Sequence, residues 1–413
     1  MTAGKAAQRI SLAQARRITV DSALLGPRKG LGKGTGAVLE TVKRLGYVQI
    51  DSISVVNRAH HHTTWTRVPA YREGGLYSLL KQRKLFEYWG HAASFLPMAD
   101  YRFYLPLARS YRERPGVPFA RALRKHEPLF PAILERIEQQ GPMSSADFGD
   151  EHGSRGGSWW DWKPAKSALE LLTSLGELMV SERRGFQRIY DLRDRILPGS
   201  VDRTEPDEEE LADFIVRRTI GAYGIARERE VREMLRTSRL VPVKEKLASM
   251  LAAGEIVAIE VDGLDGHTWY AFPELLEGLP AYRRRREQVS ILSPFDNLVI
   301  LRDRLQVLFG YDYLIECYVP QPKRQYGYFS LPLLFGERFV GRLDAKARRS
   351  EKLLEVQSLH LEDGFRPSAE FELEMARALR DFASFIACDA VKLSGRGYNL
   401  SAAMQKRIAS QLG

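Results

Sequence analysis

Three segments of the chain repeat one pattern of apolar and polar positions around a glycine. In each, a leucine lies seven residues and another apolar residue four residues before the glycine, and the three glycines are Gly46, Gly176 and Gly254. Apolar residues at this spacing predict a helix, and glycine suits the left-handed residue that ends one. Alternating apolar residues after the glycine predict a strand. Each segment therefore predicts a helix, a glycine stop and a strand.

Hairpins and further helices are predicted around these three units. The strand of the second unit turns at Gly185 and returns, the strand of the third unit also returns, and we expect a hairpin in the first unit as well. Ser11 and Gln14 have capping-box spacing, which predicts a helix to about Leu25. Two or three helices followed by a β-hairpin form a winged helix. The pattern thus predicts three tandem winged helices.

The pattern changes to closely spaced strands after Ser293. We predict strands at residues 298–309, 313–319, 325–335, 338–347 and 353–362, which would form a small antiparallel β-barrel, and a closing helix at about Ser368–Phe385. The predicted fold class is α+β. The predicted domains are a first winged helix at 8–75, a helical connector at 76–127, a second winged helix at 128–200, a third at 201–280, the barrel at 281–366, and a C-terminal helix and tail at 367–413.

Charge and composition narrow the class of protein. Lysine and arginine outnumber aspartate and glutamate by 62 to 52, giving a net charge of +10, which favours a polyanionic partner, nucleic acid before an acidic membrane surface. Many basic proteins nevertheless bind nothing anionic. The four arginines at 283–286 are either a solvated linker or a phosphate contact.

The same composition argues against several other classes. No apolar run approaches the length of a membrane span, and the amino terminus lacks the apolar core of a secretory signal. Two cysteines are too few for a disulfide framework or a thiolate zinc site. We expect a cytoplasmic, nucleoid-associated protein that uses no cofactor and no metal.

Two polar residues distinguish the first unit from its repeats. Because side chains two apart share a strand face, Gln49 and Asp51 point the same way. A carboxylate beside a carboxamide can orient a water molecule and oppose a developing positive charge. The alternative is an ordinary solvated strand face. The corresponding pairs in the other units are Met179 with Ser181 and Val257 with Ile259.

The strand is expected to continue through three consecutive histidines. Alternate histidines would then point to opposite faces, which argues against a metal site on one surface. His60 and His62 are candidates for phosphate contact or proton transfer, and Trp65 and Arg67 would lie on the other face. Such a basic and aromatic hairpin would suit a DNA groove. For Trp65, packing in the domain core is an equally good interpretation.

A second aromatic cluster occupies residues 85–97. As a strand, it places Glu87, Trp89 and His91 on one face and Tyr88 on the other. Tyr88, Trp89 and His91 are therefore candidates to line the same DNA-binding cleft. Ordinary core packing is the alternative.

Residues 47–69, 86–104, 293–320 and 323–335 together resemble, in the same order, the YcaQ/AlkX branch of the winged-helix DNA glycosylases. The resemblance runs from about Ile10 to Arg366. It implies three winged helices and a small barrel around a concave DNA-binding surface. The family signature is Gln-apolar-Asp, with Gln-apolar-Gln in a sister branch, and Gln49-Ile50-Asp51 matches the former. It also implies removal of N7-alkylated purines and unhooking of crosslinks between N7 atoms of guanines.

The implied reaction is hydrolysis of an N-glycosidic bond in double-stranded DNA. Asp51 would stabilise positive charge on the sugar and help to activate water, while Gln49 would hold the water or the sugar. The motif offers no amine, so we expect a monofunctional enzyme, and we expect it to act as a monomer. The alternative is a winged-helix transcriptional regulator without catalytic activity. A repair partner that has lost activity is a third possibility, disfavoured by the intact pair.

Overall fold

The computed structural model describes residues 8–26, 31–148, 162–277 and 287–412. The strands are β1 Gln8–Ile10, β2 Val48–Gln49, β3 Leu85–Trp89, β4 Ala93–Pro97, β5 Met143–Ser144, β6 Leu178–Arg184, β7 Gln187–Leu192, β8 Val257–Val261, β9 Trp269–Ala271, β10 Val289–Ile291, β11 Ser330–Phe335, β12 Arg338–Arg348, β13 Leu353–Leu361 and β14 Ala390–Tyr398. The helices are α1 Leu12–Ser22, α2 Gly34–Leu45, α3 Ala59–Arg67, α4 Gly74–Lys81, α5 Leu105–Glu113, α6 Val117–His126, α7 Phe130–Gln140, α8 Trp162–Ser174, α9 Arg193–Ile196, α10 Glu208–Tyr223, α11 Glu228–Met234, α12 Val243–Ala252, α13 Pro273–Glu277, α14 Arg302–Phe309, α15 Ala369–Phe385 and α16 Ala402–Ser410. Within these ranges, none of the helices has both the length and the apolar character needed to cross a bilayer.

The three helix-glycine-strand junctions are present as predicted. Helices α2, α8 and α12 end just before Gly46, Gly176 and Gly254, and β2, β6 and β8 follow. The three glycines have φ angles of 80°, 76° and 75°, a left-handed conformation that costs other residues about 1 kcal/mol or more. The capping box of Ser11 and Gln14 also forms, at the start of α1. Local signals therefore fixed these element ends.

The hairpins agree with the prediction in two of the three units. Strand β6 pairs with β7 through the turn at Gly185, and β8 pairs with β9. In the first unit the predicted hairpin is wrong. Strand β2 pairs instead with β4, which itself forms a hairpin with β3, and helices α3 and α4 lie between β2 and β3 in the chain.

Residues 59–67, predicted as a strand, form helix α3. The hydroxyl groups of Thr64 and Thr66 donate to the carbonyls of His60 and Thr63, one helical turn back. Because eight of the nine residues of α3 are buried, the helix has no solvent-facing stripe. A segment buried on all sides carries no reliable period, so its apparent alternation was misleading.

The C-terminal region contains a mixed five-stranded sheet in the order β10-β11-β12-β13-β14. Strands β11, β12 and β13 confirm three of the predicted strands, and α15 begins after Ser368 as expected. The predicted strand at 298–309 is wrong, because α14 places Leu305 and Leu308 in the core at helical spacing. The predicted strand at 313–319 is also wrong, since that stretch is a loop with a short 3₁₀ turn. Closure of the sheet into a barrel stays a prediction.

Helix α3 joins the first unit to the C-terminal sheet. The His62 ring stacks on Phe382 with centroids 4.8 Å apart, and Trp65 stacks on Phe385 at the same separation. Arg67 is fully buried and forms a two-pronged ion pair with Asp296, with Nη2 donating to Oδ1 at 2.8 Å. These contacts fix where the strand before α3 lies relative to the sheet.

The residue after Asp296 extends this connection to the first unit itself. The Nδ2 amide of Asn297 donates to the carbonyl of Tyr47 at 3.1 Å and approaches that of Leu45 at 3.5 Å. Both carbonyls lie immediately before β2. Asn297 therefore holds the turn before β2 in place.

Acid is expected to destabilise the fold through the histidine at the centre of α3. Complete burial lowers the pKa of His62 to about 4, and its Nε2 lies 2.9 Å from the carbonyl oxygen of Ile291. The folded-state pKa of His62 lies below the unfolded value of about 6.5. Below pH 6.5 the unfolded chain therefore binds a proton at His62 that the folded chain does not, and the free energy of unfolding decreases as pH falls toward 4. Between pH 7.5 and pH 5 we expect His62 to account for a loss of about 2 kcal/mol of unfolding free energy.

Urea midpoints at the two pH values, converted to free energies, measure this effect. His62→Gln has no titrating ring and should show a pH dependence about 2 kcal/mol smaller than that of the parent protein. The matched control is His267→Gln, at an exposed position, which should behave like the parent. An unchanged pH dependence in His62→Gln would show that this histidine is not held neutral.

Candidate active site

The candidate active site is built at the end of strand β2. Gln49 pairs with Ser94 of β4, and the amide of Ile50 donates to the carbonyl of Ala93 at 2.7 Å. These bonds to β4 fix the backbone up to the residue before Asp51. The strand then ends, and residues 51–58 form an irregular segment leading to α3. Asp51 thus lies at the point where the chain leaves the sheet.

Asp51 is half-buried and only partly engaged by the protein. Its Oδ1 accepts a hydrogen bond of 2.7 Å from the backbone amide of Ile53, while Oδ2 receives none from any residue that the structure describes. Burial raises the pKa of the Asp51 carboxyl, and the bond from Ile53 opposes that shift. The local chain thus orients the carboxylate and leaves one oxygen open to a ligand.

Gln49 is more buried than a solvated strand face would allow, at 8% exposure. Its Oε1 atom is buried and has no hydrogen-bond partner among the described residues. A buried acceptor without a partner costs about 1–3 kcal/mol, which a bound water or a substrate hydroxyl would recover. The amide of Gln49 therefore offers an unused acceptor two residues before Asp51 in the chain.

Two further side chains lie near the carboxylate and were missed in the sequence. The pKa of the Cys317 thiol is raised by burial and, next, by the charge of Asp51. The pKa of Tyr318 is raised chiefly by Cys317, then by burial and by Asp51. Both residues lie in the stretch predicted as a strand. Pro320 and Pro322 were the available signal against a strand there, since neither has an amide hydrogen to donate to a ladder.

The predicted placement of His60 and His62 on one strand face and of Arg67 on the other is wrong, because all three residues lie on helix α3. All three are buried: His60 Nε2 lies 3.3 Å from the Tyr77 hydroxyl, and the other two hold the contacts of α3 described above. Their side chains have almost no exposed surface in this structure, and their role in DNA binding stays a prediction. Trp65 is partly buried against Phe385, which agrees with the alternative of core packing.

Tyr88, Trp89 and His91 lie in β3 and the turn that follows, and β4 separates β3 from β2 in the sheet. The Trp89 Nε1 atom donates to Ser174 Oγ at 3.2 Å, and the Tyr88 hydroxyl donates to the carbonyl of Ser174. His91 Nδ1 lies 2.9 Å from the Glu233 carbonyl oxygen. All three are partly buried in contacts with other units, and their role in DNA binding stays a prediction. The arginine run at 283–286 lies outside the described residues.

Comparison with known proteins identifies the class. The model of the AlkZ-like family, described as DNA glycosylase AlkZ-like, matches residues 42–385. Since this span is most of the chain, the protein belongs to the AlkZ-like DNA glycosylase family, which confirms the resemblance seen in the sequence and supports a DNA-repair glycosylase.

A solved structure shares the fold. The chain is similar to the Streptomyces sahachiroi DNA glycosylase AlkZ, with a TM-score of 0.63 and 16% identity, over 94% of this chain and 100% of that one. At this identity the likeness establishes the mixed α and β fold alone.

Proposed function

We propose that the protein is a monofunctional DNA glycosylase that hydrolyses the N-glycosidic bond of N7-alkylated purines and unhooks N7-guanine interstrand crosslinks. The observation that carries this proposal is the pairing of a half-buried, locally oriented carboxylate with an unpartnered amide oxygen at the end of β2. Membership of the family supports the same class of reaction. The proposal assigns catalysis to Asp51 and Gln49.

The chemistry of the lesion explains why two side chains are enough. N7 alkylation makes the purine cationic, so the base leaves without prior protonation while positive charge develops on the sugar. Asp51 opposes that charge and accepts a proton from the attacking water, and its raised pKa makes it a stronger base than an ordinary carboxylate. Gln49 Oε1 accepts a hydrogen bond from the same water. Neither group is an amine, so no Schiff base with the sugar follows.

The open position of Asp51 suits a base that cannot leave the duplex. Glycosylases usually rotate the target nucleotide into a deep pocket. A guanine tied to the opposite strand cannot rotate freely, so its enzyme needs a shallow site. A cavity of about 1350 Å³ lies between α1, α15, β10 and residues 69–73, and neither Gln49 nor Asp51 lines it.

Further assignments belong to the same proposal: three winged helices forming a concave surface for double-stranded DNA, action as a monomer without cofactor, and a cytoplasmic, nucleoid-associated location. The alternative of a transcriptional regulator without activity is not favoured by the family match. Retention of one undamaged DNA sequence over others would favour that alternative.

A duplex with a single N7-methylguanine tests the proposal. Incubation with the protein followed by alkali should cleave the labelled strand at that position, and omission of alkali should leave the strand intact, because only the base is removed. A parallel duplex joined by a nitrogen-mustard crosslink should separate into single strands on denaturing gels. Absence of base release from both substrates would overturn the proposal. Strand cleavage without alkali would overturn its monofunctional part.

A further inference from the structure

We infer that Tyr318 stacks on a DNA base when the lesion is bound at Asp51, and that residues 314–328, here called the tyrosine loop, form a DNA-contacting surface. This inference rests on the proposed function and extends it to a residue that binds rather than reacts. It comes from four observations: exposed apolar side chains, a rigid loop, proximity to Asp51, and positive charge.

The tyrosine loop exposes three large apolar side chains within one short stretch. Tyr318 is 79% exposed, Leu314 63% and Tyr328 40%. Single exposed apolar residues are common on protein surfaces, but a cluster of them is typical of a binding surface. Elsewhere in the described residues the large exposed apolar side chains are isolated in the chain: Val117, Leu129, Leu251 and Leu373.

Internal bonds, rather than disorder, hold the loop in this exposed shape. The carboxylate of Glu316 is buried and accepts hydrogen bonds from the backbone amides of Gln325, Tyr326 and Gly327 at 2.8, 2.7 and 3.0 Å. The Arg342 guanidinium lies over the Tyr326 ring, with its Cζ atom 4.1 Å from the centroid of that ring. A loop fixed before binding loses little conformational entropy when a ligand contacts it.

The loop lies beside the catalytic carboxylate. Ile53, two residues after Asp51, and Ile315 of the tyrosine loop pack against the same apolar core. In agreement with this placement, the charge of Asp51 raises the pKa of both Cys317 and Tyr318. A sugar whose C1′ is next to Asp51 has neighbouring bases within a few ångströms along the strand. An exposed ring at this place is therefore positioned to contact a base rather than the distant backbone.

Positive charge on the loop favours DNA over a protein partner. Lys323 is exposed, and the Arg324 guanidinium lies 4.8 Å from the centroid of the Tyr328 ring. Within the described residues neither cation has a carboxylate partner. Aromatic rings beside unpaired cations match a strand of bases and phosphates, because stacking suits any base and the cations suit the backbone.

The test uses DNA that the enzyme cannot process. A duplex carries a tetrahydrofuran abasic analogue with a fluorescent 2-aminopurine next to it, and protein binding is followed by quenching of that fluorophore. Tyr318→Ala should bind about 5- to 100-fold more weakly and lose the quenching, since stacking contributes that much per base. Tyr318→Phe keeps the ring and should behave like the parent. Leu373→Ala, at another exposed apolar position, is the matched control.

The outcomes separate this inference from the proposed function. If Tyr318→Ala keeps the parent affinity and quenching, stacking is wrong, although release of N7-methylguanine by the parent would leave the glycosylase proposal intact. If quenching depends on Tyr318 but the parent releases no base, stacking holds and the glycosylase proposal is wrong. Equal losses in Tyr318→Phe and Tyr318→Ala would assign the effect to the hydroxyl and overturn stacking.

Discussion

Asp51→Asn is expected to lower the rate of base release from N7-methylguanine DNA by about 10²–10³-fold, the usual cost of losing one group that stabilises transition-state charge. Asparagine has nearly the same shape, and its Oδ1 can still accept the hydrogen bond from Ile53 that orients the side chain. Folding and DNA affinity should therefore change little. Single-turnover rates with enzyme in excess measure the effect directly, because they report the chemical step.

A matched aspartate separates this effect from a general loss of charge. Asp262→Asn removes a carboxylate that pairs with Arg9 at the surface, and it should release base at the parent rate. The pH profile supplies a second test. Because burial raises the pKa of Asp51, the rate should fall with decreasing pH around a midpoint above the ordinary value of about 3.9, and Asp51→Asn should lack this limb. Parent-like rates in Asp51→Asn would exclude Asp51 as the catalytic carboxylate.

The candidate pair could be found from the sequence because its signals are local. Gly46 needs a left-handed φ of 80°, and only a few residues separate it from Gln49 and Asp51. The end of α2 at Gly46, the strand that follows and the two-residue spacing of Gln49 and Asp51 can all be recognised from residues close together in the sequence. The internal repeat then showed that these two positions differ from their counterparts. No long-range contact was needed for that comparison.

The surroundings of the pair depend on contacts that the sequence does not mark. Strand β2 pairs with β4, which follows it only after two intervening helices, so the partner of Gln49 could not be identified from adjacent residues. Helix α3 is buried nearly all round, which removes the period that separates helix from strand. Tyr318 lies far from Asp51 in the sequence, and only the folded chain brings the two residues into one region. Burial and non-local pairing thus account for the errors.

Arg67→Met is expected to destabilise the protein by about 3–5 kcal/mol, because it leaves the Asp296 carboxylate buried without its partner. Both side chains of the pair are fully buried, and Arg67 Nε also donates to the carbonyl of Ala23 at 2.9 Å. Methionine preserves most of the volume, so the loss reports the missing charge and hydrogen bonds rather than a cavity. Guanidinium unfolding at neutral pH measures it. Arg229→Met, at surface pairs with Glu233 and Asp303, should cost less than about 1 kcal/mol.

The double variant Arg67→Met with Asp296→Leu determines whether the buried charge is the cause. Removing both partners leaves no unpaired carboxylate, so the double variant should be more stable than the sum of the two single losses predicts. The stability of the double variant can also be measured if the single variant Arg67→Met does not fold. Base release should still fall in the double variant, because Asn297, next in the chain, holds the carbonyl of Tyr47 at the start of β2. Additive losses, or an Arg67→Met variant as stable as Arg229→Met, would show that the unpaired buried carboxylate is not the cause of the destabilisation. Parent-like base release in the double variant would show that the ion pair does not position β2.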